Sequence, residues 1–157
     1  MNGLFLKNFD ICGRMVLMSK EEVIEIIKNA PKKFFVGALK DSQIKNIEKG
    51  LNVDLPESYK WFLREYGTGG VAGMEIFGGG LHEVPTCVRE TEEWRKYGLP
   101  MGFVVIQNYG ANVYCLDTSR LEENECPVID WEQDEEEGIR EYKNFYTFLV
   151  EKFSESF

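Results

Sequence analysis

The feature that most constrains the fold is a change in the spacing of apolar residues along the chain. Early in the chain they recur at intervals of three and four, as in Val23, Ile26 and Ile27, which is the spacing of one helix face. In the second half, short runs of β-branched and aromatic residues alternate with turn residues, which is typical of strands. Helices followed by strands and a closing helix predict an α+β fold, with a central antiparallel sheet and helices packed mainly on one face.

The length of 157 residues fits a single domain. A helix start at Ser19, with Glu22 completing a capping box, separates a domain over 18–157 from residues 1–17, which are an upstream extension or an extra strand. The predicted helices cover 19–30, 41–51, 56–66, 85–97 and 139–153. The predicted strands cover 71–77, 103–107, 112–117 and 127–131, and the apolar stretch 34–36 is a strand or a packed connection.

The net charge of −9 is confined to one segment of the chain, residues 121–137. This segment contains no Lys or Arg, and elsewhere 18 acids are matched by 18 bases. It is either a solvated loop that aids solubility or an electronegative patch that attracts a basic partner. The predicted partner-binding acids are Glu122, Glu123, Glu125, Asp130, Glu132, Asp134, Glu135, Glu136 and Glu137.

Two tryptophans are candidate anchors for the same partner, because tryptophan is enriched at binding hot spots. Trp61 lies beside the predicted apolar stripe of its helix, so it either covers a core edge or contacts a partner. Trp131 lies inside the acidic segment and is either a core residue or a contact centre ringed by carboxylates.

Several function classes find little support. Phosphate contacts need clustered Lys and Arg, and the closest cluster is Lys32-Lys33, so direct nucleic-acid binding is not expected. No run approaches the roughly 18–20 apolar residues of a membrane span. The four cysteines form no CxxC pair, which indicates reduced thiols in a cytoplasmic protein and no zinc site.

Catalytic and cofactor motifs are incomplete. A small hydrolase using Cys87 and His82 is conceivable, but nothing else in the pattern supports it. The glycine runs at 67–70 and 78–80 lack the Lys and Ser or Thr of a phosphate-binding loop and indicate turns. Asp130, Glu132 and Asp134 imitate calcium-loop ligands, but Glu135 occupies the position that needs glycine. We therefore expect no catalytic residue, metal or cofactor.

The run from Ile47 to Gly70, IEKGLNVDLPESYKWFLREYGTGG, resembles the signature of the SUKH superfamily. The matching features are the Leu55-Pro56 pair, the aromatic and apolar residues that follow it, and the Gly69-Gly70 pair. The later strand candidates also match the family's order of elements, so the resemblance extends over about residues 20–153.

This resemblance implies a sheet covered by helices and a binding role without catalysis. The superfamily includes yeast cell-wall-assembly regulators and bacterial immunity proteins that neutralise toxins, often nucleases. The resemblance thus implies an immunity protein bound to a cognate toxin, with a basic nuclease domain as the expected type. A regulatory scaffold that binds an endogenous enzyme or signalling protein is the alternative. In either role, no catalytic residue carries over from the family.

Overall fold

The computed structural model describes residues 19–133 and 140–155. Within these residues the helices are α1 Lys20–Asn29, α2 Asp41–Leu51, α3 Glu57–Glu65, α4 Thr86–Arg95 and α5 Phe145–Glu155. The strands are β1 Lys33–Phe35, β2 Gly69–Val71, β3 Met74–Ile76, β4 Phe103–Tyr109, β5 Asn112–Asp117, β6 Val128–Glu132 and β7 Glu141–Tyr142. The α+β class is confirmed. All strand pairs are antiparallel, in two sheets ordered β1-β2-β3 and β4-β5-β6-β7.

The larger sheet is buried on both faces, because alternate side chains of a strand point to opposite sides. One face joins the main core, with Val104, Leu116 and Val128 packed among residues of α1, α2, α3 and α5. The other face carries Val113 and Trp131 and packs against α4 and the segment after it. Helices therefore lie mainly on one face, with α4 covering the other.

Helix α4 also protects the edge strand β4. The ladder between β4 and β5 has a bulge between Val105 and Gln107. At this bulge the backbone N–H of Val105 donates to Thr91 Oγ1 of α4 at 2.8 Å, and both residues are fully buried. An unpaired edge N–H is thus satisfied by a helix side chain, which removes a donor that could otherwise pair with another chain.

Two predicted elements differ from the structure. The strand predicted over 71–77 is a hairpin of β2 and β3, because Ala72 and Gly73 both adopt positive φ values of 51° and 84° and reverse the chain. The helix predicted to begin at 139 begins at Phe145 instead, since Asn144 caps it by accepting the N–H of Thr147 at 2.9 Å. The residues before Asn144 include strand β7.

Helix starts also depart from the predicted caps. Ser19 is the N-cap of α1 but makes no side-chain capping hydrogen bond. The predicted cap of α2 is Asp41 or Ser42, but Asp41 is already the first helical residue, and Gln43 accepts the N–H of the N-cap residue Lys40 at 2.8 Å. Pro56 precedes α3 as its N-cap and offers no polar side chain to the exposed helix N–H groups.

The Gly69-Gly70 pair is required by close backbone packing in the small sheet. A Cβ atom on Gly69 would lie 2.0 Å from the backbone oxygen of Phe34, and one on Gly70 would lie 1.6 Å from that of Met74. Both flanking strands would have to move to admit any other residue. This part of the sequence signature therefore serves the fold.

Candidate partner-binding surface

The acidic segment runs along β6 and beyond both of its ends. Glu122, Glu123 and Glu125 precede the strand, Asp130 and Glu132 lie in it, and the predicted acids at 134–137 lie outside the described residues. A strand of five residues is about 17 Å long. The described acids therefore do not form one patch, and those before β6 and those in its last half occupy two separate ends.

At the first end, a tight turn holds the acids before β6. The backbone N–H of Glu122 donates to Glu125 O at 2.7 Å, and the N–H of Glu125 donates back to Glu122 O at 3.0 Å. Glu123 and Asn124 at the tip both have positive φ values, 52° and 67°. We call this turn, residues 122–125, the acidic turn.

The acidic turn is docked on the N-terminus of α3. Glu125 accepts the N–H of Ser58 at 3.0 Å and also its hydroxyl, while the N–H of Glu57 donates to Asn124 O at 2.8 Å. Glu125 thus provides the helix cap that Pro56 cannot. Burial raises the pKa of Glu125, and the bonds from Ser58 oppose this shift. Its carboxylate is occupied inside the protein.

Trp61 lies near this end and packs at the edge of the core. Its ring meets Tyr66 at 5.6 Å and Tyr146 at 5.7 Å between centroids, both edge to face. Burial, followed by the charges of Glu125 and nearby acids, raises the pKa of Tyr146 to about 12. The core-edge alternative describes the placement of Trp61, which is half-buried.

At the second end, Asp130 holds an exposed tyrosine. Asp130 Oδ2 accepts the hydroxyl of Tyr109 at 2.8 Å, and its Oδ1 accepts the side-chain amide of Asn112 at 3.2 Å. The Tyr109 ring stacks on Tyr114 at 4.8 Å with an interplanar angle of 20°. Tyr109 is nevertheless 45% exposed. Glu132 pairs in register with Asn112 beside this group.

Trp131, between Asp130 and Glu132, lies in the core. It is 8% exposed and meets the ring of Trp94 edge to face at 5.9 Å. The reason is strand alternation, which sends Trp131 to the face under α4 and its two acidic neighbours to the opposite face. Of the two alternatives for Trp131, the structure shows the core residue.

Four described acids remain at the two ends of β6: Glu122 and Glu123 are exposed, and Asp130 and Glu132 are half-buried. Within residues 19–133 and 140–155, no Lys or Arg forms an ion pair with Glu122, Glu123, Asp130 or Glu132. Arg120, the base nearest in sequence to the acidic turn, is bound to Asp117 and Glu141. Bases nevertheless lie near both ends: Arg120 and Lys143 line a hollow with Glu122 and Glu123, and Lys152 Nζ lies 5.0 Å from the ring of Tyr114, the register partner of Asp130.

Cys87 and His82, the pair considered for a hydrolase, lie in different environments. Cys87 is fully buried, and burial raises its pKa to about 11, whereas His82 is exposed. A thiol with this pKa remains protonated near neutral pH and is a poor nucleophile. In the described part of the chain, no three His, Cys, Asp or Glu side chains converge in a way that could hold a metal ion.

The glycine runs are structural. The N–H of Gly79 donates to Gly67 O at 3.1 Å, and the N–H of Gly78 donates to Thr86 Oγ1 at 3.0 Å. A Cβ on Gly78 would lie 1.8 Å from Gly67 O. The N–H groups that a phosphate would need are thus bound within the protein, and the runs are packed turns.

A wide groove of about 1110 Å³ lies elsewhere, between α2 and the loops around Met101 and Ser119. Its lining contains two lysines, Lys45 and Lys49, and two acids, Glu48 and Asp54, so its charges cancel. Apart from its size, the groove has no feature that selects a ligand.

No helix among the described residues is both long enough and apolar enough to cross a membrane.

The fold is shared with a solved structure of low sequence identity. The crystal structure of a protein from Pseudomonas syringae pv. tomato superposes with a TM-score of 0.64 at 18% identity, covering 83% of this chain and 94% of that one. The SUKH_5 family model, described as SMI1-KNR4 cell-wall, matches residues 20–154. The chain therefore belongs to the SMI1-KNR4 family of the SUKH superfamily, and the resemblance found in the sequence is confirmed.

The sequence did not single out Tyr109 or Asn112. Tyr109 lies between the second and third strand candidates, where polar and aromatic residues are ordinary turn components, and Asn112 is the first residue of the strand predicted over 112–117. The sequence feature that could have indicated Tyr109 is its position just before Gly110, at the end of a strand. The next strand along the chain is followed by the acidic segment. Only the pairing of three strands brings the Tyr109 hydroxyl to Asp130.

Proposed function

We propose that the protein is an immunity protein that binds and neutralises a cognate toxin, and that the toxin is a nuclease domain with a basic active surface. The observation that carries the proposal is membership of the SMI1-KNR4 family over residues 20–154. The superfamily contains bacterial immunity proteins, and this chain combines their fold with an acidic surface.

The physical basis is charge complementarity. A nuclease must hold phosphate and therefore carries clustered Lys and Arg in its cleft. Glu122, Glu123, Asp130 and Glu132 are not ion-paired within the described residues, so they are available to such a cleft. Their field would speed association at low salt.

A binding role without catalysis is part of the proposal. Its support is the state of three described cysteines, the candidate nucleophile Cys87 together with Cys115 and Cys126, all of which are buried with pKa values raised by burial. Blocking another protein's active surface needs an exposed, complementary face and no reactive group.

The test is co-expression with toxin domains encoded beside this gene, scoring rescue of growth and formation of a purified 1:1 complex. Rescue together with a complex is expected. If no adjacent toxin domain is bound, and a housekeeping enzyme co-purifies instead, the scaffold alternative replaces this proposal.

The electrostatic part of the proposal has its own variant. Reversing Glu132, Asp134 and Glu135 to Lys should lower the association rate and flatten its salt dependence. The matched control reverses three exposed acids elsewhere, Glu65, Glu83 and Glu92. Both variants change the net charge equally, so equal effects on the rate would show that only total charge matters.

A further inference from the structure

We propose that Tyr109 is a pre-organised anchor that receives an arginine of the basic partner, with Asp130 and Glu132 contacting the same guanidinium group. This inference rests on the proposed function and specifies which end of β6 faces the toxin. The anchor consists of Tyr109, Asn112, Asp130 and Glu132, and we call it the tyrosine end.

The exposed ring of Tyr109 is already held in place before binding. Tyr109 is 45% exposed, yet its ring stacks on Tyr114 and its hydroxyl donates to Asp130. Burial and the bond to Asp130 both raise the pKa of Tyr109, so the hydroxyl stays protonated and remains a donor at physiological pH. A side chain fixed before binding loses little conformational entropy in a complex.

Tyr114, on which the Tyr109 ring stacks, is held firmly by the core. Tyr114 is 5% exposed and packs against Phe148 at 5.0 Å and Tyr142 at 6.1 Å between ring centroids. Lys152 Nζ lies 5.0 Å from the centroid of the Tyr114 ring. Tyr109 therefore extends an aromatic cluster of the core out to the surface.

The ring of Tyr109 and the carboxylates beside it indicate the chemistry of the partner. Asp130 and Glu132 are two residues apart in β6, so both project from the sheet face that carries Tyr114. An aromatic face beside carboxylates suits an arginine, whose planar guanidinium stacks on rings and also binds carboxylates. Neither acid is ion-paired within the part of the chain that the structure describes.

The acidic turn differs from the tyrosine end. At the acidic turn, Glu125 is occupied by Ser58 in capping α3, and Trp61 packs at the core edge. Glu123 and Glu122 remain exposed, but among the residues that the structure describes neither carboxylate holds an exposed aromatic ring. The tyrosine end offers both a fixed aromatic ring and carboxylates beside it.

The experiment measures dissociation of the toxin domain encoded beside this gene from immobilised wild-type and variant protein, at low and high salt. Tyr109→Ala should raise the dissociation rate about tenfold or more, as expected for a hot-spot residue. Tyr109→Phe keeps the ring and should have a smaller effect. Tyr97→Ala is the matched control, because Tyr97 is a tyrosine of similar exposure, 53%, just after α4, and it should leave the rate within about twofold.

A second variant guards against misfolding. If Tyr109→Ala lowers the melting temperature, Asp130→Asn keeps an oxygen acceptor and should still raise the dissociation rate while weakening its salt dependence. Wild-type binding that neither Tyr109→Ala nor Asp130→Asn weakens would overturn the anchor and leave the proposed function intact. Failure of the wild-type protein to bind any adjacent toxin domain would overturn both.

Discussion

The two ends of β6 use the same kind of residue for different purposes. Glu125, before the strand, and Asp130, within it, each accept two hydrogen bonds through their carboxylates. The donors of Glu125 belong to Ser58 at the start of a core helix, whereas those of Asp130 belong to Tyr109 and Asn112 around an exposed hairpin. The role of an acid here is set by the donors that other elements bring to it, and its position in an acidic run carries little information.

This comparison divides the acidic segment into a part that stabilises the fold and a part that is available to a partner. Variants at the first end should mainly change the free energy of unfolding, and variants at the second should mainly change binding. Three stability measurements test that division.

The largest effect is expected at Trp131, which lies between the two acids of the tyrosine end but faces the core. Trp131→Ala should lower the free energy of unfolding by about 3–5 kcal/mol, because it removes a buried aromatic side chain and leaves a cavity beside Trp94. Chemical denaturation of wild type, Trp131→Ala and the milder Trp131→Phe gives the measurement. A loss below about 1 kcal/mol for Trp131→Ala would mean that the ring is not a core residue.

A smaller effect is expected at Glu125. Glu125→Ala should lower the free energy of unfolding by about 1–2 kcal/mol, since the start of α3 loses its cap. Glu125→Gln should cost less, because its amide oxygen can still accept the N–H of Ser58. Asp130→Ala is the comparison at the other end, where the donors can turn to water. Equal losses for Glu125→Ala and Asp130→Ala would remove the distinction between the two ends.

The smallest effect is a pH dependence from Glu125. Its pKa is raised in the folded protein above the ordinary 4.5, because burial disfavours the charged form. The folded state therefore holds this proton more tightly than the unfolded state, and stability from this group is lost as the pH rises from 4.5 through the raised pKa. The free energy of unfolding of wild type relative to Glu125→Gln should fall across that window. A difference that is flat or rises with pH would contradict the raised pKa.

Much of the fold follows from local patterns in the sequence. Strand β5 has the bounds predicted for it and helix α2 ends at the predicted Leu51, since their apolar spacing is regular and turn residues limit them. The reversal at Ala72-Gly73 and the short strand β7 were not predicted. Both depend on pairing with residues distant in the sequence, β1 and β6 respectively, and local periodicity carries no record of such pairing.

The candidate site was less predictable than the fold. Composition located the acidic segment, but it could not reveal that Glu125 meets Ser58 or that Asp130 meets Tyr109, because those contacts span 67 and 21 positions of sequence. For the same reason, the sequence did not decide which face of the sheet Trp131 points to. Which side chains of β6 point to which face is fixed only when the register of β6 with β5 is known.

The buried thiols have a practical consequence. Cys87 and Cys126 lie in the main core, whereas Cys115 lies on the opposite sheet face in the core under α4. An alkylating reagent can reach each sulfur only when its surroundings open, and the rate of modification then reports that opening. The chain thus carries its own labels for the two sides of the larger sheet, and mass spectrometry of the modified peptides could show which side loosens first under denaturant.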